Sequence, residues 1–588
     1  MPDCTENTLC IKALYSGMEI SMEEKKKKKY DPVELEIMWN RFISILEEQA
    51  QTLIRTAFSS ILADNEDLSA GLFDTKGRMI AQAKTGVAGH INSMAIGTKH
   101  FLEHNPPETL KDGDVLIGNN AYEISGHVLD ITAVTPVFFK GKIVAYVAST
   151  CHVYDLGGVG YSADGRSIYE EGLYIPYLKY YKEGVRDEAI CKIIAANSRQ
   201  PHSVIGDIEA QITAQKVAIK GLLKMFDEFG IDEIDTIGEE ILNISEKAMR
   251  NAISAMPDGE YEYELNTDGI IEGEHIVYKT QVKIEGDEIW IDFQGTSPAI
   301  PDRGFNSCLN YTQAYGTYGA KAVIAKDVPN NEGTFRPIHI TAPEGSIINA
   351  PHPYPMQLRH ITGFFVPATI IGALSVISPE TVPAESCATN YCVQAYFNNN
   401  KDYAISMVAG GMGGRPGKDG LSATHFPTNT STTQVEVLEM QAPFLVKRKE
   451  LLTDTGGYGE YRGGLGQIFE FGTISDSPWI LPASYDRIIY PAKGYNGAGD
   501  GAKAKFYRNG SENLPGKIRI QLEPTDVITI ETAGGAGFGN PKKRAPERVL
   551  SDVINGYVSQ EAALRDYGIC VEQNAEGDFY INTEKSLR

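Results

Sequence analysis

The hydrophobic positions of residues 32–62 recur mostly at steps of three and four, which is the spacing of one face of an α-helix. The apolar residues concerned are Leu35, Met38, Phe42, Ile45, Leu46, Leu53, Ile54, Ala57 and Phe58. This pattern predicts one long amphipathic helix at the start of the folded chain. Shorter helices are predicted over residues 311–325 and 559–567. The apolar stretch 361–377 contains Pro367 and is shorter than the roughly 20 residues of a membrane span, so it predicts a buried helix.

Two further helical patterns, at residues 205–229 and 233–255, are separated only by Phe229-Gly230-Ile231 and predict an antiparallel helical hairpin. Strand-like patterns lie on both sides of this pair. Residues 261–293 alternate polar and apolar positions, which is typical of half-buried strands. The fold class predicted is therefore mixed α+β, with several β-rich units around a helical hairpin.

Changes in composition divide the chain into five predicted units. They are a disordered leader (1–30), an N-terminal helix with an αβ region that carries the candidate site (31–200), the helical hairpin (201–260), a middle αβ region (261–400) and a glycine-rich β region with a C-terminal helix (401–588). The leader contains a lysine run at 25–29 but no apolar core, so it does not resemble a signal peptide. Within the last unit, strands are predicted at 433–440 and 518–521.

The charge balance argues against two classes of partner. The 588 residues include 54 Lys and Arg and 77 Asp and Glu, which gives a net charge of −23. Such a chain is repelled by nucleic-acid phosphates and by anionic membrane surfaces, so neither is expected as a partner. The eight cysteines are scattered and form no CxxC pair, which favours a reducing compartment and predicts a cytoplasmic location.

Two tetrads carry the candidate chemistry, His127-Val128-Leu129-Asp130 and His152-Val153-Tyr154-Asp155. In each, an imidazole is followed three residues later by a carboxylate. Neutral imidazoles with a carboxylate suit Zn, Mn or Fe(II), and two His with one Asp resemble a facial triad that leaves coordination positions open. The competing interpretation is that the histidines are ordinary core residues of two strands.

A predicted β-hairpin strengthens the metal interpretation. Strand-like residues 131–139 and 143–150 flank Lys140-Gly141-Lys142. A three-residue turn at this position pairs Phe139 with Ile143. A two-residue turn would displace the register by one position.

The same register decides which side chains can share a cation. It places Asp130 opposite His152, with Cβ atoms roughly 4.5 to 5.5 Å apart. Three extended residues would carry His127 about 10 Å from Asp130, so the chain must bend. Ser125-Gly126 supplies the flexibility for that bend.

Asp155 and His90 are further candidate site residues. Asp155 can be a fourth ligand, an acceptor that orients an imidazole, or a base acting on water, and the last two roles are favoured. His90, like the pair Arg359-His360, can line a site or cap an element. Cys151 should face away from His152, because neighbouring residues of a strand alternate sides. The glycine-rich segments lack the spacing of a phosphate-binding loop, and the chain has no GxSxG elbow.

Motifs in a fixed order run from about residue 31 to residue 567. They are Asp67-Leu68-Ser69, Leu72-Phe73-Asp74, Gly113-Asp114-Val115, Gly126-His127-Val128-Leu129-Asp130, His152, Asp155-Leu156-Gly157-Gly158, Tyr169-Glu170-Glu171-Gly172, Gly206-Asp207-Ile208-Glu209-Ala210-Gln211, Asn331-Glu332-Gly333, Arg336-Pro337, Ala342-Pro343-Glu344-Gly345-Ser346, Gly417-Lys418-Asp419-Gly420, Tyr461-Arg462-Gly463-Gly464-Leu465-Gly466, Gly556-Tyr557-Val558-Ser559 and Ala562-Ala563-Leu564. This series resembles the hydantoinase B family, which includes the second half of ATP-dependent 5-oxoprolinases and the alpha subunit of acetone carboxylases.

The resemblance implies a single divalent metal bound by His127, Asp130 and His152. The metal is Mn in the acetone carboxylase branch, and Zn or Fe also suit the ligands. Asp155 and His90 are the expected catalytic residues beside it. The chain departs from its relatives at Asn119-Asn120-Ala121, where they commonly carry Asn-Asp-Pro, and at Val153, where many have a second histidine. These changes bear on substrate choice more than on metal binding.

The resemblance also implies a partner and a reaction. Relatives act with a hydantoinase A-type subunit that binds ATP-Mg and phosphorylates a substrate carbonyl oxygen, in a hetero-oligomer. The implied activity is the ATP-dependent opening of a cyclic amide such as a hydantoin, 5-oxoproline or lactam. The alternative is a ketone carboxylase subunit, which would take a ketone substrate at the same metal. A third hypothesis makes the chain a non-catalytic scaffold.

Overall fold

The computed structural model describes residues 30–271, 273–398 and 402–587, and its architecture is mixed α and β, as predicted. The α-helices are Pro32–Thr56, Ser60–Ala63, Ala88–His104, Glu188–Asn197, Pro201–Phe229, Asp235–Ser254, Leu309–Ile324, Glu332–Phe335, His360–Gly363, Phe365–Leu374, Val435–Gln441, Pro546–Ile554 and Gln560–Tyr567. Among the helices of this described part of the chain, none combines the length and the apolar character needed to cross a membrane. The predicted leader, apart from Tyr30, lies outside the described residues.

The first helix shows how a tertiary contact overrides a periodic pattern. It begins where the Asp31 side chain accepts a hydrogen bond from the N–H of Val33 at 2.9 Å. It ends at Thr56, earlier than the predicted residue 62. The Asp207 carboxylate accepts hydrogen bonds from the N–H groups of Phe58 and Ser59, at 2.7 and 3.1 Å. Because these donors are satisfied from another helix, the chain breaks here and restarts as Ser60–Ala63.

The candidate site is built on a seven-stranded sheet whose neighbouring strands are antiparallel. In spatial order the strands are Met79–Gln82, Leu68–Phe73, Lys142–His152, Asp130–Phe139, Val115–Gly118, Leu178–Lys182 and Val185–Arg186. The two longest strands, Asp130–Phe139 and Lys142–His152, form the central hairpin. This hairpin occupies the middle of the sheet and is almost wholly buried.

The predicted pairing of Asp130 with His152 is confirmed, but the predicted turn is wrong. Phe139 pairs with Lys142, so the turn has two residues, and both Lys140 and Gly141 have positive φ. A two-residue turn alone would displace the register by one. A β-bulge next to Val137 inserts one extra residue into the second strand and restores the predicted register.

Helix Pro201–Phe229 lies across the central hairpin and is bonded to it through two buried glutamines. Gln211 donates from Nε2 to the carbonyl oxygen of Ser149 at 2.7 Å. Gln215 donates to the carbonyl oxygen of Ala133 and to Ser149 Oγ, both at 2.9 Å. These bonds hold the helix in one register against the two strands.

The two helices predicted as a hairpin are present, and Gly230 joins them in the left-handed conformation. Each helix packs on different neighbours. Pro201–Phe229 contacts the first helix, where a Cβ on Gly221 would lie 3.3 Å from Ile45. Asp235–Ser254 contacts the short helix Glu332–Phe335, and a Cβ on Gly333 would lie 2.1 Å from the carbonyl oxygen of Leu242.

The rest of the chain forms four smaller sheets. In spatial order, the first has the strands Ile338–Thr341, Glu288–Asp292, His275–Glu285 and Gly259–Asp268, and the second has Asp402–Ala409, Asn390–Phe397, Trp479–Ser484 and Lys517–Leu522. The third has Phe444–Leu451, Gln467–Thr473, Ile528–Glu531, Lys505–Arg508 and Glu512–Asn513. The fourth pairs Val571–Gln573 with Phe579–Ile581. The predicted buried helix near residue 361 is present as His360–Gly363 and Phe365–Leu374, and both pieces are buried.

The strand predicted at 433–440 is wrong, because helix Val435–Gln441 occupies this segment. The valines favoured a strand through their β-branched side chains. Leu438 is the fully buried residue of this helix, with Val435 three positions before it partly buried, and this is helical rather than alternating spacing.

Replacing Gln215 by Leu is expected to lower the free energy of unfolding by about 1–3 kcal/mol, because Ser149 Oγ and the carbonyl oxygen of Ala133 lose their buried donor. Urea unfolding followed by circular dichroism measures the change. Thr213→Leu on the exposed face of the same helix is the matched control, with an expected change within about 0.5 kcal/mol. Equal effects of the two substitutions would contradict the role of the glutamine.

Candidate metal centre

Asp130 lies at the centre of the candidate site. Its Oδ1 is 2.8 Å from Nε2 of His127 and 3.1 Å from Nδ1 of His152. The side chains of His127 and Asp130 are fully buried, and His152 is 3% exposed. One donor atom from each of the three lies within 4.8 Å of the others, which is close enough for all three to hold one ion.

Each of these side chains is positioned by a different local feature. Asp130 and His152 stand opposite each other at the open end of the central hairpin. His127 lies in the turn that precedes strand Asp130–Phe139, directly after a bend at Gly126, where φ is +91°. Gly126 is also required sterically, because a Cβ there would lie 2.3 Å from Cδ of Arg359. The bend predicted at Ser125-Gly126 is therefore confirmed.

Both ring nitrogens of His127 face acceptor oxygens. Its Nδ1 is 3.0 Å from the backbone carbonyl oxygen of Gln357, and its Nε2 is 2.8 Å from Asp130 Oδ1. A neutral imidazole has one proton, so it can donate to one of these acceptors; with the proton on Nδ1, the lone pair of Nε2 faces Asp130. Burial, followed by the positive charge of Arg359, lowers the pKa of His127 to about 3, so this ring is neutral near pH 7.

This arrangement fits a bound cation. The lone pair of His127 Nε2 faces the carboxylate oxygen of Asp130 at 2.8 Å, and two acceptors at this distance repel each other. A divalent ion would replace the repulsion by two coordinate bonds. The second nitrogen of His127 is already held by a backbone carbonyl, which is the usual support of a metal-ligating imidazole. Two imidazoles and one carboxylate suit Zn, Mn or Fe.

The other oxygen of Asp130 has different partners. His90 Nε2 is 2.9 Å and Arg359 Nη2 is 2.5 Å from Oδ2. Arg359 also donates from Nε to the carbonyl oxygen of Ser125 and stacks over the ring of Tyr311, with 4.4 Å to the centroid. The carboxylate is therefore divided, with Oδ1 facing the two predicted imidazole ligands and Oδ2 facing His90 and Arg359.

These contacts determine the charge of the site. Burial alone would raise the pKa of Asp130, but the positive charges of His90 and Arg359 hold it well below its usual range. Burial opposes a charged His90, but the carboxylates of Asp130 and Asp67 outweigh it and raise the pKa of His90. His90 Nδ1 lies 3.5 Å from Asp67 Oδ1.

A cavity of about 30 Å³ adjoins the cluster. On the cluster side it is lined by Asp67, His90, His152, Tyr161, Arg359 and His360. The Tyr161 hydroxyl and His360 Nδ1 share a hydrogen bond of 2.8 Å. The Tyr161 ring packs edge-on against His127 and His152. The lining also includes Asn390, Thr428 and Thr430.

The structure brings His90 next to the predicted ligands but gives Asp155 other partners. The contacts described for Asp155 are with Arg199 and Ser198, including a hydrogen bond from Arg199 Nε at 3.1 Å. Arg199 also donates to the carbonyl oxygens of Gly157 and Gly158. Cys151 lies in the apolar core between sheet and helices, away from His152, as predicted.

Sequence reasoning did not assign a role to Asp67, Arg359 or Tyr161. Asp67 belongs to the family motif Asp67-Leu68-Ser69. From the sequence, the pair Arg359-His360 can either line a site or cap an element. The proximity of Arg359 to His90 and Asp130 depends on contacts between segments more than 200 residues apart along the chain.

A buried carboxyl group lies behind His127. Glu171 Oε1 accepts a hydrogen bond from the backbone N–H of Gln357 at 2.7 Å. The carbonyl oxygen of Gln357 in turn accepts from His127 Nδ1. The Gln357 side chain donates to the carbonyl oxygens of Glu171 and Gly160. These bonds hold the Gln357 backbone beside the His127 ring.

Comparisons with known proteins agree with this geometry. Residues 31–541 match the family described as Hydantoinase B/oxoprolinase. The chain is 31% identical over 585 residues to a candidate B subunit of a D-/L-hydantoinase from Pseudomonas sp. strain NS671, covering 95% of this chain and 98% of that one.

Two solved structures share the fold. The crystal structure of the ATP-dependent caprolactamase from Pseudomonas jessenii has a TM-score of 0.84 at 26% identity, covering 94% of this chain and 98% of that one. The nucleotide-free structure of an acetone carboxylase also has a TM-score of 0.84, at 18% identity, covering 98% of this chain and 84% of that one, and this likeness is one of fold alone. From its motifs, its fold and the match along most of its length, the chain belongs to the Hydantoinase B/oxoprolinase family.

Proposed function

We propose that this chain is the metal-holding subunit of an ATP-dependent hydrolase that opens a cyclic amide. The observation that carries the proposal is the convergence of His127 Nε2 and His152 Nδ1 on one oxygen of the buried Asp130. Relatives named as a hydantoinase and an ATP-dependent caprolactamase support the ring-opening reaction. Their substrates, a hydantoin and a lactam, share the cyclic amide group.

The proposal includes a separate ATP-binding subunit. Two relatives, a hydantoinase and a caprolactamase chain, are themselves named as subunits, which supports a hetero-oligomer. The glycine-rich segments of this chain support it as well, because they pack backbone to backbone. A Cβ on Gly534 would lie 1.7 Å from the carbonyl oxygen of Thr455, and one on Gly464 would lie 1.9 Å from that of Leu421. Such segments have no room for a phosphate chain between them.

His127, Asp130 and His152 would hold one Mn, Zn or Fe ion. When bound, such an ion polarises a substrate oxygen and lowers the pKa of water so that it can attack a carbonyl carbon. Phosphorylation of the carbonyl oxygen by the partner would make that carbon more electrophilic. Water would add to that carbon, and the C–N bond would break as the nitrogen takes up a proton, which leaves an acyl phosphate. A second water would hydrolyse the acyl phosphate to a carboxylate and inorganic phosphate.

The residues on the other side of Asp130 would supply charge and protons. Arg359 is buried beside the cavity, and its guanidinium stabilises negative charge that develops on a substrate oxygen. His90 has a raised pKa and contacts both Asp130 and Asp67, so it can hold a proton next to the cavity. We assign His90 as the donor to the leaving nitrogen and Asp67 as its charge partner.

Two positioning roles complete the proposal. Glu171 holds the Gln357 backbone, whose carbonyl keeps the lone pair of His127 on the metal side. Asp155 anchors Arg199 on the carbonyls of Gly157 and Gly158, and so holds the loop that leads to Tyr161. The base role predicted from the sequence for Asp155 stays a prediction.

Substituting the three ligands is expected to abolish metal binding. His127→Ala, His152→Ala and Asp130→Asn each remove one donor, and metal affinity should fall at least about tenfold. Elemental analysis of protein loaded with Mn or Zn and then dialysed measures the occupancy. His104→Ala, an exposed histidine, is the control and should keep about one ion per chain. Full occupancy in His127→Ala or His152→Ala would remove the site assignment.

The reaction is tested on the complex with the ATP-binding subunit, in the presence of metal and ATP. We expect ring opening of hydantoin, 5-oxoproline or caprolactam without bicarbonate. Bicarbonate-dependent gain of a carboxyl group on a ketone would favour the carboxylase alternative. This alternative is tested because an acetone carboxylase has the same fold. Failure of both reactions, with metal missing from the purified complex, would favour a scaffold.

Glu171 is expected to make stability depend on pH. Burial raises the pKa of Glu171 from 4.5 to about 8, so the folded state binds a proton that the unfolded state releases above pH 4.5. The contribution of the protonated Glu171 to the free energy of unfolding is fully present below pH 4.5 and is lost as the pH rises to about 8. The free energy of unfolding should therefore fall with pH in this window by up to about 1.4 kcal/mol per unit relative to Glu171→Gln. Urea unfolding of both proteins at pH 5, 6.5 and 8 measures the difference, and parallel pH profiles would contradict it.

A further inference from the structure

One wall of the cavity next to the predicted metal ligands contains an amide side chain without a partner. Asn390 is 5% exposed and begins the strand Asn390–Phe397, where it pairs through its backbone with Ala409. Its Oδ1 is fully buried, and neither end of its amide has a hydrogen-bond partner among the described residues. A buried unsatisfied amide costs about 1–3 kcal/mol, which a hydrogen bond to a bound ligand or to water would offset.

The neighbours of Asn390 in this wall are different, because they satisfy each other. Thr428 and Thr430 share a hydrogen bond between their hydroxyl groups at 2.7 Å, and the N–H of Thr430 donates to Thr428 Oγ1 at 3.0 Å. Elsewhere in the lining, Arg359 uses Nε and Nη2 for contacts within the protein, and Nη1 has no hydrogen bond to any described residue. Within the described part of the chain, the free hydrogen-bonding groups of the lining include this amide, this guanidinium nitrogen and His90 Nδ1.

The shape of a primary amide defines what it can pair with. Asn390 presents an acceptor and a donor side by side, and either assignment of its oxygen and nitrogen leaves one of each. In a cyclic amide the ring forces the N–H and the C=O onto the same side, so the two groups can pair with both ends of Asn390 at once. A linear amide is almost always trans and presents them on opposite sides. A ketone has no N–H at all.

We infer that Asn390 recognises the cis edge of a cyclic amide and is the residue that selects ring amides over ketones and linear amides. This inference rests on the proposed function and names the specificity of the same site. Once phosphorylated, the carbonyl oxygen no longer accepts from the amide nitrogen of Asn390. The N–H remains, and the positive charge on the ring nitrogen strengthens its bond to the Asn390 oxygen. Arg359 lines the same cavity, and its free Nη1 suits the phosphoryl group.

The cavity holds about one water molecule in volume, and a ring is larger. Its lining comes from separate regions of the chain, which include His152, Arg359, Asn390 and Thr430. Binding a ring therefore requires this lining to open.

The test compares a ring amide that the complex opens with its N-methyl analogue, which lacks the N–H. The partner subunit is the same for every variant, so a change in the ratio of the two kcat/KM values reports on this chain. We expect wild type to prefer the N–H form and Asn390→Leu to lower kcat/KM for it by about 10- to 100-fold with little effect on the N-methyl form. Asn390→Asp keeps an acceptor of the same shape and should retain the preference.

Gln394→Leu is the matched control, because Gln394 lies on the same strand, is 2% exposed and also has an unpartnered oxygen within the described part of the chain, but does not line the cavity. It should keep the wild-type ratio. Metal occupancy and urea unfolding of Asn390→Leu establish that the variant is folded and loaded. An unchanged ratio in Asn390→Leu, or an equal loss in Gln394→Leu, would overturn the inference. A wild-type complex that binds metal but opens no ring would instead overturn the proposed function, and this inference with it.

Discussion

The structure of the candidate site depends on one buried carboxylate. Asp130 is fully buried, and an isolated charge in such a place would cost several kcal/mol. It is stable there because His127, His152, His90 and Arg359 surround both of its oxygens. These side chains come from four separate segments, so the carboxylate can be charged only when the N-terminal sheet and the segment around residue 359 are packed together. The site and the fold of this region therefore form as one unit.

The geometry around Asp130 also separates two kinds of chemistry. One oxygen faces the ring nitrogens of His127 and His152, which suit a metal ion, and the other faces His90 and Arg359. The Gln357 carbonyl lies at Nδ1 of His127, so Nε2 is the nitrogen on the side of Asp130. Glu171 lies behind His127, on the other side of the Gln357 backbone. A small cavity adjoins the cluster, and its lining includes His152 as well as His90 and Arg359.

Local sequence patterns predicted the elements well where the decisive interactions were local. The first helix, the helix pair around Gly230 and the central hairpin were all anticipated, and so was the pairing of Asp130 with His152. The turn between the hairpin strands was not, and a β-bulge compensated for the difference. The end of the first helix depended on Asp207, about 150 residues away, and no local pattern could have indicated it.

The sequence by itself determined the candidate ligands, because the two tetrads, the hairpin register and the flexible Ser125-Gly126 bend are all properties of one continuous segment. The family motifs added the identity of the fold and the class of reaction. Only the tertiary structure decided which residues surround those ligands. Asp67, His90, Glu171, Arg359 and Asn390 reach the site from distant parts of the chain, and such contacts follow from the packing of sheets and helices rather than from spacing along the sequence. The charge of the site and the shape of its cavity are therefore properties of the folded chain.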